Sequence, residues 1–306
     1  MEENQLKIPV VLIIFNRPEP TKRVFEIIRA ARPSQLYVVA DGPREDHPKD
    51  AEKCTAARAI VDGVDWKCVV FTNYADNNLG CKRRVSSGLD WVFNQVEQAI
   101  ILEDDCLPHP SFFHFCQELL DRYKNDNRVM LISGDNFQPI QDQSVFSYYF
   151  SRYPHIWGWA TWRRAWKKFD VNMKSWPSFR NGGWLEYILE NRQDLIYWEE
   201  IFNKTFNGEI DSWAYALLFS CWSQSLLAIS PTFNLVSNIG FGIDATHTTG
   251  VNKLANMEIF PADFPLKHPP FVIRDVDADR YTQQHLFRNR SLPIKIIKRV
   301  LGYLKV

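Results

Sequence analysis

Residues 99–106, Ala-Ile-Ile-Leu-Glu-Asp-Asp-Cys, constrain the fold of this chain most, because an apolar run passes directly into three consecutive carboxylates. Such a run is typical of a strand buried in a parallel sheet, and open α/β sheets bind ligands beyond the carboxyl ends of their strands. Three adjacent anions repel one another unless a cation lies among them. Oxygen ligands favour Mg²⁺ or Mn²⁺, ions that join protein carboxylates to nucleotide phosphates. A solvated acidic turn is the alternative, and the position after a buried strand disfavours it.

Strands and helices alternate through the first part of the chain. Residues 8–15 predict a buried strand, residues 21–31 an amphipathic helix, and residues 36–40 and 68–72 two further strands. The acidic triplet then ends a fourth strand. This alternation predicts a Rossmann-like α/β fold with a mostly parallel, doubly wound sheet flanked by helices.

The ends of three predicted strands are expected to converge on one crevice of this sheet. Arg17 could hold a nucleobase carbonyl or a phosphate, and Asp41 could accept a hydrogen bond from a base or a ribose hydroxyl. Each is also a good turn residue, so the prediction depends on their convergence. The residues predicted here to bind a nucleotide sugar are Phe15, Asn16, Arg17, Asp41, Glu103 and Asp104.

Basic residues open the next predicted helix. Lys82, Arg83 and Arg84 precede an amphipathic stretch, so cationic side chains would stand beside free helix N–H groups, which favours a diphosphate. Arg84 is the predicted contact, and a solvated basic face is the alternative. Neither GxxxxGK[ST] nor a GxGxxG after the first strand occurs. With the ATPase and dinucleotide patterns absent, the nucleotide ligand predicted for this site is a sugar nucleotide.

Composition bounds the class of protein. The chain has 36 basic and 36 acidic residues, so no nucleic-acid partner is expected. Its six cysteines lack CxxC spacing and predict free thiols in a reducing cytoplasm. The N-terminus lacks a signal-peptide pattern, and no segment reaches the ~18 to 20 apolar residues that span a bilayer. The protein is expected to be soluble or to sit on a membrane surface.

Four segments, in this order, resemble glycosyltransferases of GT-A fold, most closely N-acetylglucosaminyltransferase I and bacterial nucleotide-diphospho-sugar transferases with a similar domain. They are IPVVLIIFNRP, VVADG, IILEDDCLPHPSFFHFC and a late block. In the late block, residues 157–166 (WGWATWRRAW) resemble the family's GW…W segment, Asp211-Ser212-Trp213 resembles its Asp-Asp-Trp, and residues 230–231 and 238–242 resemble its Pro…Ser…Phe-Gly stretch.

The resemblance covers about residues 8–250. It implies a GT-A domain over residues 1–260, with a nucleotide-binding half over about 1–135 and an acceptor-binding half over about 136–260. Residues 261–306 would then form a C-terminal extension.

The resemblance also implies roles for the acidic residues. It makes Asp105 the direct metal ligand, beside Asp104, and it implies an inverting transfer. Inversion needs a carboxylate that deprotonates the acceptor hydroxyl. In the family this base is the aspartate that directly precedes the Trp of Asp-Asp-Trp. Ser212 occupies that position here, so the assignment moves by one residue to Asp211. A helix cap is the alternative role for Asp211, and Glu209 is its nearest competitor.

Two further site predictions concern aromatic and histidine residues. Many GT-A enzymes bring a C-terminal histidine onto the metal or diphosphate, which makes His247 a candidate ligand. Of the 11 tryptophans, most are expected in the core, while Trp157 and Trp159 are predicted to face the acceptor.

The end of the chain combines prolines with a basic amphipathic pattern. Pro261, Pro265, Pro269 and Pro270 argue against regular structure beyond residue 260. Residues 293–306 have the spacing of a basic amphipathic helix. It would either lie in an anionic membrane surface, the inner face of the plasma membrane, or pack on the domain, and both alternatives stay open.

The predicted function is a Mn²⁺- or Mg²⁺-dependent glycosyltransferase. It would move a sugar from a nucleoside-diphosphate donor, with uridine favoured, to a hydroxyl of a glycan or lipid-linked glycan. A nucleotidyltransferase that makes a sugar nucleotide is one alternative, although no Gly-rich phosphate loop follows the first strand. A catalytically silent glycan-binding protein is the other.

Overall fold

The computed structural model describes residues 5–139, 145–240 and 254–287. The strands are β1 (Val10–Ile14), β2 (Gln35–Ala40), β3 (Val69–Tyr74), β4 (Gln98–Glu103), β5 (Cys106–Pro108), β6 (Val129–Ser133), β7 (Tyr148–Ser151), β8 (Trp159–Trp162), β9 (Leu227–Pro231) and β10 (Val236–Asn238). The α-helices are α1 (Pro18–Ala31), α2 (Asp50–Ala59), α3 (Cys81–Phe93), α4 (Ser111–Arg122), α5 (Arg163–Trp166), α6 (Trp176–Asn181), α7 (Arg192–Phe206), α8 (Trp213–Ser223) and α9 (Val276–Thr282). Short 3₁₀ turns cover Ile60–Gly63 and Trp184–Tyr187, and a π-helical turn covers Gln283–Phe287.

Eight strands form one mixed, mostly parallel sheet in the order β3-β2-β1-β4-β8-β6-β9-β7. Strands β8 and β7 run against their neighbours, and the other six share one direction. The predicted α/β fold with a mostly parallel sheet flanked by helices is therefore confirmed. The strands β5 and β10 pair separately as a small antiparallel ladder.

The strand order reverses at β1. The chain adds β2 and β3 on one side of β1 and then crosses to add β4 on the other side. Such a switch point leaves a crevice beyond the carboxyl ends of the two strands that flank it. Here those strands are β1 and β4, the second of which ends in the acidic triplet.

The central strands form where the sequence is continuously apolar. Every residue of β1 is buried, and so are the four middle residues of β4, because both faces of these strands pack against other elements. Helix α1 begins directly after Arg17 because proline is favoured in the first helical turn, where its missing N–H costs nothing. The sequence thus sets a sharp strand-to-helix turn at the switch point.

The second half of the chain completes the same sheet, since β8 pairs antiparallel with β4 of the first half. Its helices α7 and α8 pack through an aromatic cluster that includes Trp198, Phe202 and Trp222. Burying such large rings together is a main source of stability in a core of this kind.

The C-terminal extension packs on this cluster. Residues 254–273 form no helix or strand, as the prolines indicate. The expectation of irregular structure was wrong for α9, which Asp275 caps by accepting a hydrogen bond from Ala278 N at 2.9 Å. Gln283 Oε1 then accepts hydrogen bonds from Tyr153 Oη at 2.7 Å and Trp198 Nε1 at 2.8 Å. The extension is thereby tied to the second half of the chain.

Other predictions concern the cysteines, membrane-spanning segments and residues near the C-terminus. All six cysteines are free thiols. Over the described ranges, no helix has the combination of length and apolarity needed to cross a lipid bilayer. The predicted amphipathic segment of residues 293–306 and His247 lie outside the described residues.

Candidate functional site

A cleft of about 950 Å³ opens at the carboxyl edge of the sheet, beside the switch point. The strand ends after β1, β2 and β4 all border it, as the sequence predicts for a doubly wound sheet. The predicted site residues that line this cleft together are Phe15, Arg17, Asp41, Arg84, Glu103, Asp104, Asp105, Trp157 and Asp211.

Arg17 lies between two carboxylates of the acidic triplet. Its Nη1 donates to Asp105 Oδ2 at 3.0 Å, and its Nη2 forms a short ion pair with Asp104 Oδ1. Burial alone would lower the pKa of the guanidinium, but Asp104 and Asp105 outweigh burial and hold that pKa above its usual range. Thr21 donates from both its N–H and its Oγ1 to the Arg17 carbonyl, which fixes the backbone at the start of α1.

Asp104 is held entirely by protein groups. One carboxylate oxygen pairs with Arg17, and the other accepts from Phe15 N at 3.1 Å. The residue is only 2% exposed. Asp104 therefore clamps the end of β4 to the end of β1, and each of its carboxylate oxygens already has a protein partner.

Asp105 and Glu103 retain oxygens that a divalent cation could use. Within the described chain, the side chain of Glu103 forms no hydrogen bond or ion pair, and Asp105 Oδ1 accepts only a weak bond from Cys106 Sγ at 3.6 Å. Burial, then the repulsion of Asp105 and Asp104, raises the pKa of Glu103 to about 8. The triplet thus carries more negative charge than Arg17 neutralises.

No ready-made metal cage exists among the described residues, which include no cluster of three or more His, Cys, Asp or Glu side chains arranged to hold an ion. A hard cation such as Mg²⁺ commonly uses one or two carboxylates and completes its shell with substrate phosphates and water. Asp105 and Glu103 fit that pattern.

Asp41 braces the loop that leads into α3. Its Oδ1 accepts from Gly42 N and Leu79 N, both at 2.9 Å, and its Oδ2 accepts from Asn78 Nδ2 at 3.0 Å. Burial raises the pKa of Asp41, while these hydrogen bonds and the charge of Arg84 act in the opposite direction. Asp41 borders the cleft, but its hydrogen-bonding capacity goes mainly to this loop.

Arg84 is buried on the same side of the cleft. Its Nη2 donates to Asn73 O at 2.6 Å and to Asn73 Oδ1 at 2.7 Å. Its Nε has no partner among the described residues, and burial lowers the pKa of the guanidinium. A cationic group with an unused donor at a cleft wall suits an anionic ligand.

Asp211 lies across the cleft, against the start of α3. A Cβ at Gly80, the N-cap of α3, would lie 2.8 Å from Asp211 Oδ2. The N-cap of α8 is Ser212, so Asp211 is not that helix's cap residue. Asp211 is solvent-exposed, and Glu209 also lines the cleft. Both candidate bases therefore line the same cleft.

Asp135 is a cleft residue that the sequence prediction missed. It follows β6, accepts from Trp157 N at 3.2 Å, and is 1% exposed. Burial holds the pKa of this carboxyl well above its usual range. The signal was available, because Val129–Ser133 followed by Gly134 and Asp135 repeats the pattern of a buried strand that ends in a carboxylate.

The wall of the cleft around Trp157 is aromatic. Trp157 contacts Phe137 edge-on, with ring centroids 5.0 Å apart, and Phe137 contacts His155 in the same way at 4.8 Å. Burial lowers the pKa of His155 to about 4, so this imidazole is neutral at physiological pH. Trp157 is half-buried, which leaves part of its ring open to a ligand.

Two predicted site residues lie elsewhere. Asn16 donates from Nδ2 to Asp50 Oδ1 at 2.7 Å and does not line the cleft. Trp159 is 1% exposed and stacks on Trp213 with centroids 5.6 Å apart. Asn16 is therefore a support for the α2 region, and Trp159 belongs to the core rather than to an acceptor surface.

Comparisons with known proteins assign no family to this chain. No protein-family model matches the chain, and no curated protein sequence matches it. A solved structure of UDP-glucose pyrophosphorylase complexed with UDP-glucose matches at 13% identity and a TM-score of 0.27. The match covers 47% of this chain and 62% of that chain, less than two thirds of its length. A likeness at this level carries no conclusion about activity.

Proposed function

We propose that this protein is a metal-dependent, inverting glycosyltransferase that takes a sugar from a nucleoside-diphosphate donor, with a uridine donor favoured. The acceptor is a hydroxyl of a glycan or of a lipid-linked glycan. The observation that carries this proposal is the meeting of Arg17, the acidic triplet and Asp211 in one cleft at the switch point. This cleft combines cationic groups, cation-binding carboxylates and a separate exposed carboxylate.

The donor would lie on the strand-end side of the cleft. Arg17 and Arg84 have guanidinium N–H groups for the diphosphate, and Asp41 and Phe15 border the space for the base and ribose. Asp105 and Glu103 would hold Mn²⁺ or Mg²⁺, which stabilises the negative charge of the departing diphosphate when bound.

The acceptor would enter from the side of Trp157, whose ring offers a flat surface to a sugar. As the acceptor oxygen forms its bond to the anomeric carbon, Asp211 takes the hydroxyl proton, and the bond from that carbon to the diphosphate breaks. Arg17 and Arg84 receive the charge of the leaving group. Positioned proton transfer of this kind contributes roughly 10² to 10⁴ in rate.

A direct test is a thermal-shift panel of nucleoside diphosphate sugars, with Mn²⁺ and with EDTA, followed by assays of donor hydrolysis and transfer. We expect stabilisation by one nucleotide class that needs Mn²⁺. Asp211→Asn should keep donor binding and lose ~10² to 10⁴ of the rate. Stabilisation by glycans alone, independent of metal, would contradict the proposal and favour a binding protein. Release of pyrophosphate from a nucleoside triphosphate and a sugar phosphate would favour a nucleotidyltransferase.

Membrane contact through residues 293–306 is a separate part of the proposal, supported by their basic amphipathic sequence. Deleting residues 292–306 should abolish binding to anionic vesicles and leave hydrolysis of the donor intact. Unchanged vesicle binding would remove the membrane role without affecting the proposed chemistry.

A further inference from the structure

Arg17 makes two contacts that compete with the roles proposed for its partners. Nη1 lies 3.0 Å from Asp105 Oδ2, and Nη2 is paired with Asp104. The side chain of Arg17 is 16% exposed and that of Asp105 is 13% exposed, so the Arg17–Asp105 ion pair is poorly accessible to water. While this pair exists, Asp105 offers a cation one oxygen fewer, and Arg17 offers a diphosphate one N–H group fewer.

Two features indicate that the side chain of Arg17 can change partners. Its backbone is fixed by Thr21 and by the start of α1, whereas the guanidinium reaches into the cleft. Its Nε is buried and has no partner among the described residues, so Asp104 and Asp105 leave part of its hydrogen-bonding capacity unused. Oxygens of a bound anion could use that capacity.

The pair is also covered on one side. A Cβ at Gly240 would collide with both Asp105 Oδ2 and Arg17 Nη1, so the backbone at Gly240 lies directly against them. Ile239 N donates to Asp105 O at 2.8 Å, which anchors the same segment. The Arg17–Asp105 pair is thus closely packed beneath residues 239–240.

We infer that Arg17 is an exchangeable counter-ion: it neutralises Asp105 in the ligand-free protein and moves to the donor's diphosphate on binding, which releases Asp105 to a divalent cation. This inference rests on the proposed function. Asp104 stays engaged with Phe15 N and keeps the guanidinium close to β4. The binding of diphosphate and the binding of cation are therefore positively coupled through a single side chain, and such coupling is reciprocal.

One arm of the test measures uridine diphosphate binding in EDTA by calorimetry. Asp105→Asn removes the carboxylate that pairs with Arg17 Nη1 and should tighten metal-free binding at least fivefold. Asp211→Asn is the matched control, since it removes the same charge from the cleft without touching Arg17, and it should change affinity less than twofold. Equal effects of the two substitutions would mean that only the overall charge matters, which overturns the inference.

The second arm measures Mn²⁺ binding without nucleotide, by electron paramagnetic resonance of free Mn²⁺. Arg17→Gln frees Asp105 and should tighten Mn²⁺ binding at least tenfold relative to wild type. Arg44→Gln is the control, because Arg44 lines the same cleft but pairs with Asp50. Circular dichroism verifies that each variant is folded, and if Arg17→Gln does not fold, the Asp105→Asn comparison of the first arm decides the inference.

The outcomes separate this inference from the proposed function. If Mn²⁺ binds no more tightly to the Arg17 variant than to the Arg44 variant, the counter-ion role is overturned while nucleotide binding with Mn²⁺ still stands. If wild type binds no nucleoside diphosphate even with Mn²⁺, the proposed function fails, and the inference fails with it.

Discussion

Gly80→Ala tests whether Asp211 is held at the catalytic edge of the cleft. Gly80 has φ 79° and ψ 158°, a backbone conformation that is essentially restricted to glycine. A methyl group there would stand 2.8 Å from Asp211 Oδ2, well inside ordinary van der Waals contact. The substitution therefore strains the backbone at the start of α3 and also displaces the carboxylate of Asp211, the proposed base.

The two effects have different sizes and different readouts. The backbone strain costs about 1 to 3 kcal/mol, which corresponds to a fall in melting temperature of roughly 2 to 5 °C for a chain of this size. A carboxylate displaced by up to about 1 Å loses up to ~10²-fold in rate. Melting is followed by circular dichroism, and rate by hydrolysis or transfer of the donor that the thermal-shift panel identifies.

Gly208→Ala is the matched control. Gly208 also has a positive φ, 78°, but a Cβ there would meet no atom within 4 Å. It should lose about 1 to 2 kcal/mol of stability and keep its turnover within about twofold, since no proposed site residue is touched. If Gly80→Ala loses no more turnover than Gly208→Ala, Asp211 is either not packed against α3 or not the base.

Three further perturbations address other parts of the molecule. Hydrogen bonds from Arg44, and then from Asn16, lower the pKa of Asp50 to about 2, below its ordinary 3.8. The stabilisation, about 1 to 2 kcal/mol after allowance for the partial exposure of Arg44, is present above pH 4 and lost as pH falls from 4 to 2. Denaturant titrations of wild type and Asp50→Asn should differ at pH 6 and converge toward pH 2.5, and a constant difference would contradict this. Trp159→Ala should cost about 3 to 5 kcal/mol of stability. Trp157→Ala should cost less than about 1 kcal/mol of stability and weaken acceptor binding. The reverse order of stability in thermal melts would contradict the core position of Trp159. Asp105→Ala should abolish the Mn²⁺ requirement together with most donor turnover, and unchanged metal-dependent turnover would exclude it as the ligand.

Much of the nucleotide-side fold could be predicted because its signals are local. The predicted strands at residues 8–15, 36–40 and 68–72 appear as β1, β2 and β3, shifted by at most two residues at either end. Each is a short apolar run followed by a turn residue. Because the carboxyl ends of parallel strands share one edge, the meeting of Arg17 with the acidic triplet followed from topology alone.

The errors have a common cause, which is that side-chain partners lie far away in sequence. Asn16 turns to Asp50, 34 residues on, and no local pattern announces that hydrogen bond. Trp157 and Trp159 are two residues apart, yet one borders the cleft and the other stacks on Trp213 inside the core. An aromatic pattern fixes the burial of the group as a whole and not the orientation of each ring.

The acidic triplet was a harder case because its three carboxylates have different tasks. The side chains of neighbouring residues point in different directions, so three consecutive carboxylates can contact different partners. The side chain of Asp104 binds the end of β1, that of Asp105 shares Arg17 with it, and that of Glu103 forms no hydrogen bond or ion pair within the described chain. The charge of the string was evident in the sequence, but this division of tasks depends on where Phe15 N and Arg17 lie.

The charge of the whole cleft gives the strongest argument for a cation. Among the described residues, seven carboxyl groups line it against three guanidiniums; the carboxyl groups are Asp41, Glu103, Asp104, Asp105, Asp135, Glu209 and Asp211, and the guanidiniums are Arg17, Arg44 and Arg84. Even without Glu103 and Asp135, whose pKa values burial raises most, five carboxylates outnumber the three cations. Even the thiol of Cys81, at a helix N-terminus that ordinarily lowers a thiol pKa, has its pKa raised, first by burial and then by Glu103 and Asp211. A diphosphate entering this field adds further negative charge in a partly desolvated space, where repulsion is strong. Donor affinity should therefore rise at least tenfold when Mn²⁺ replaces EDTA, and equal affinities in both would mean that the ligand of this cleft is not an anionic nucleotide sugar.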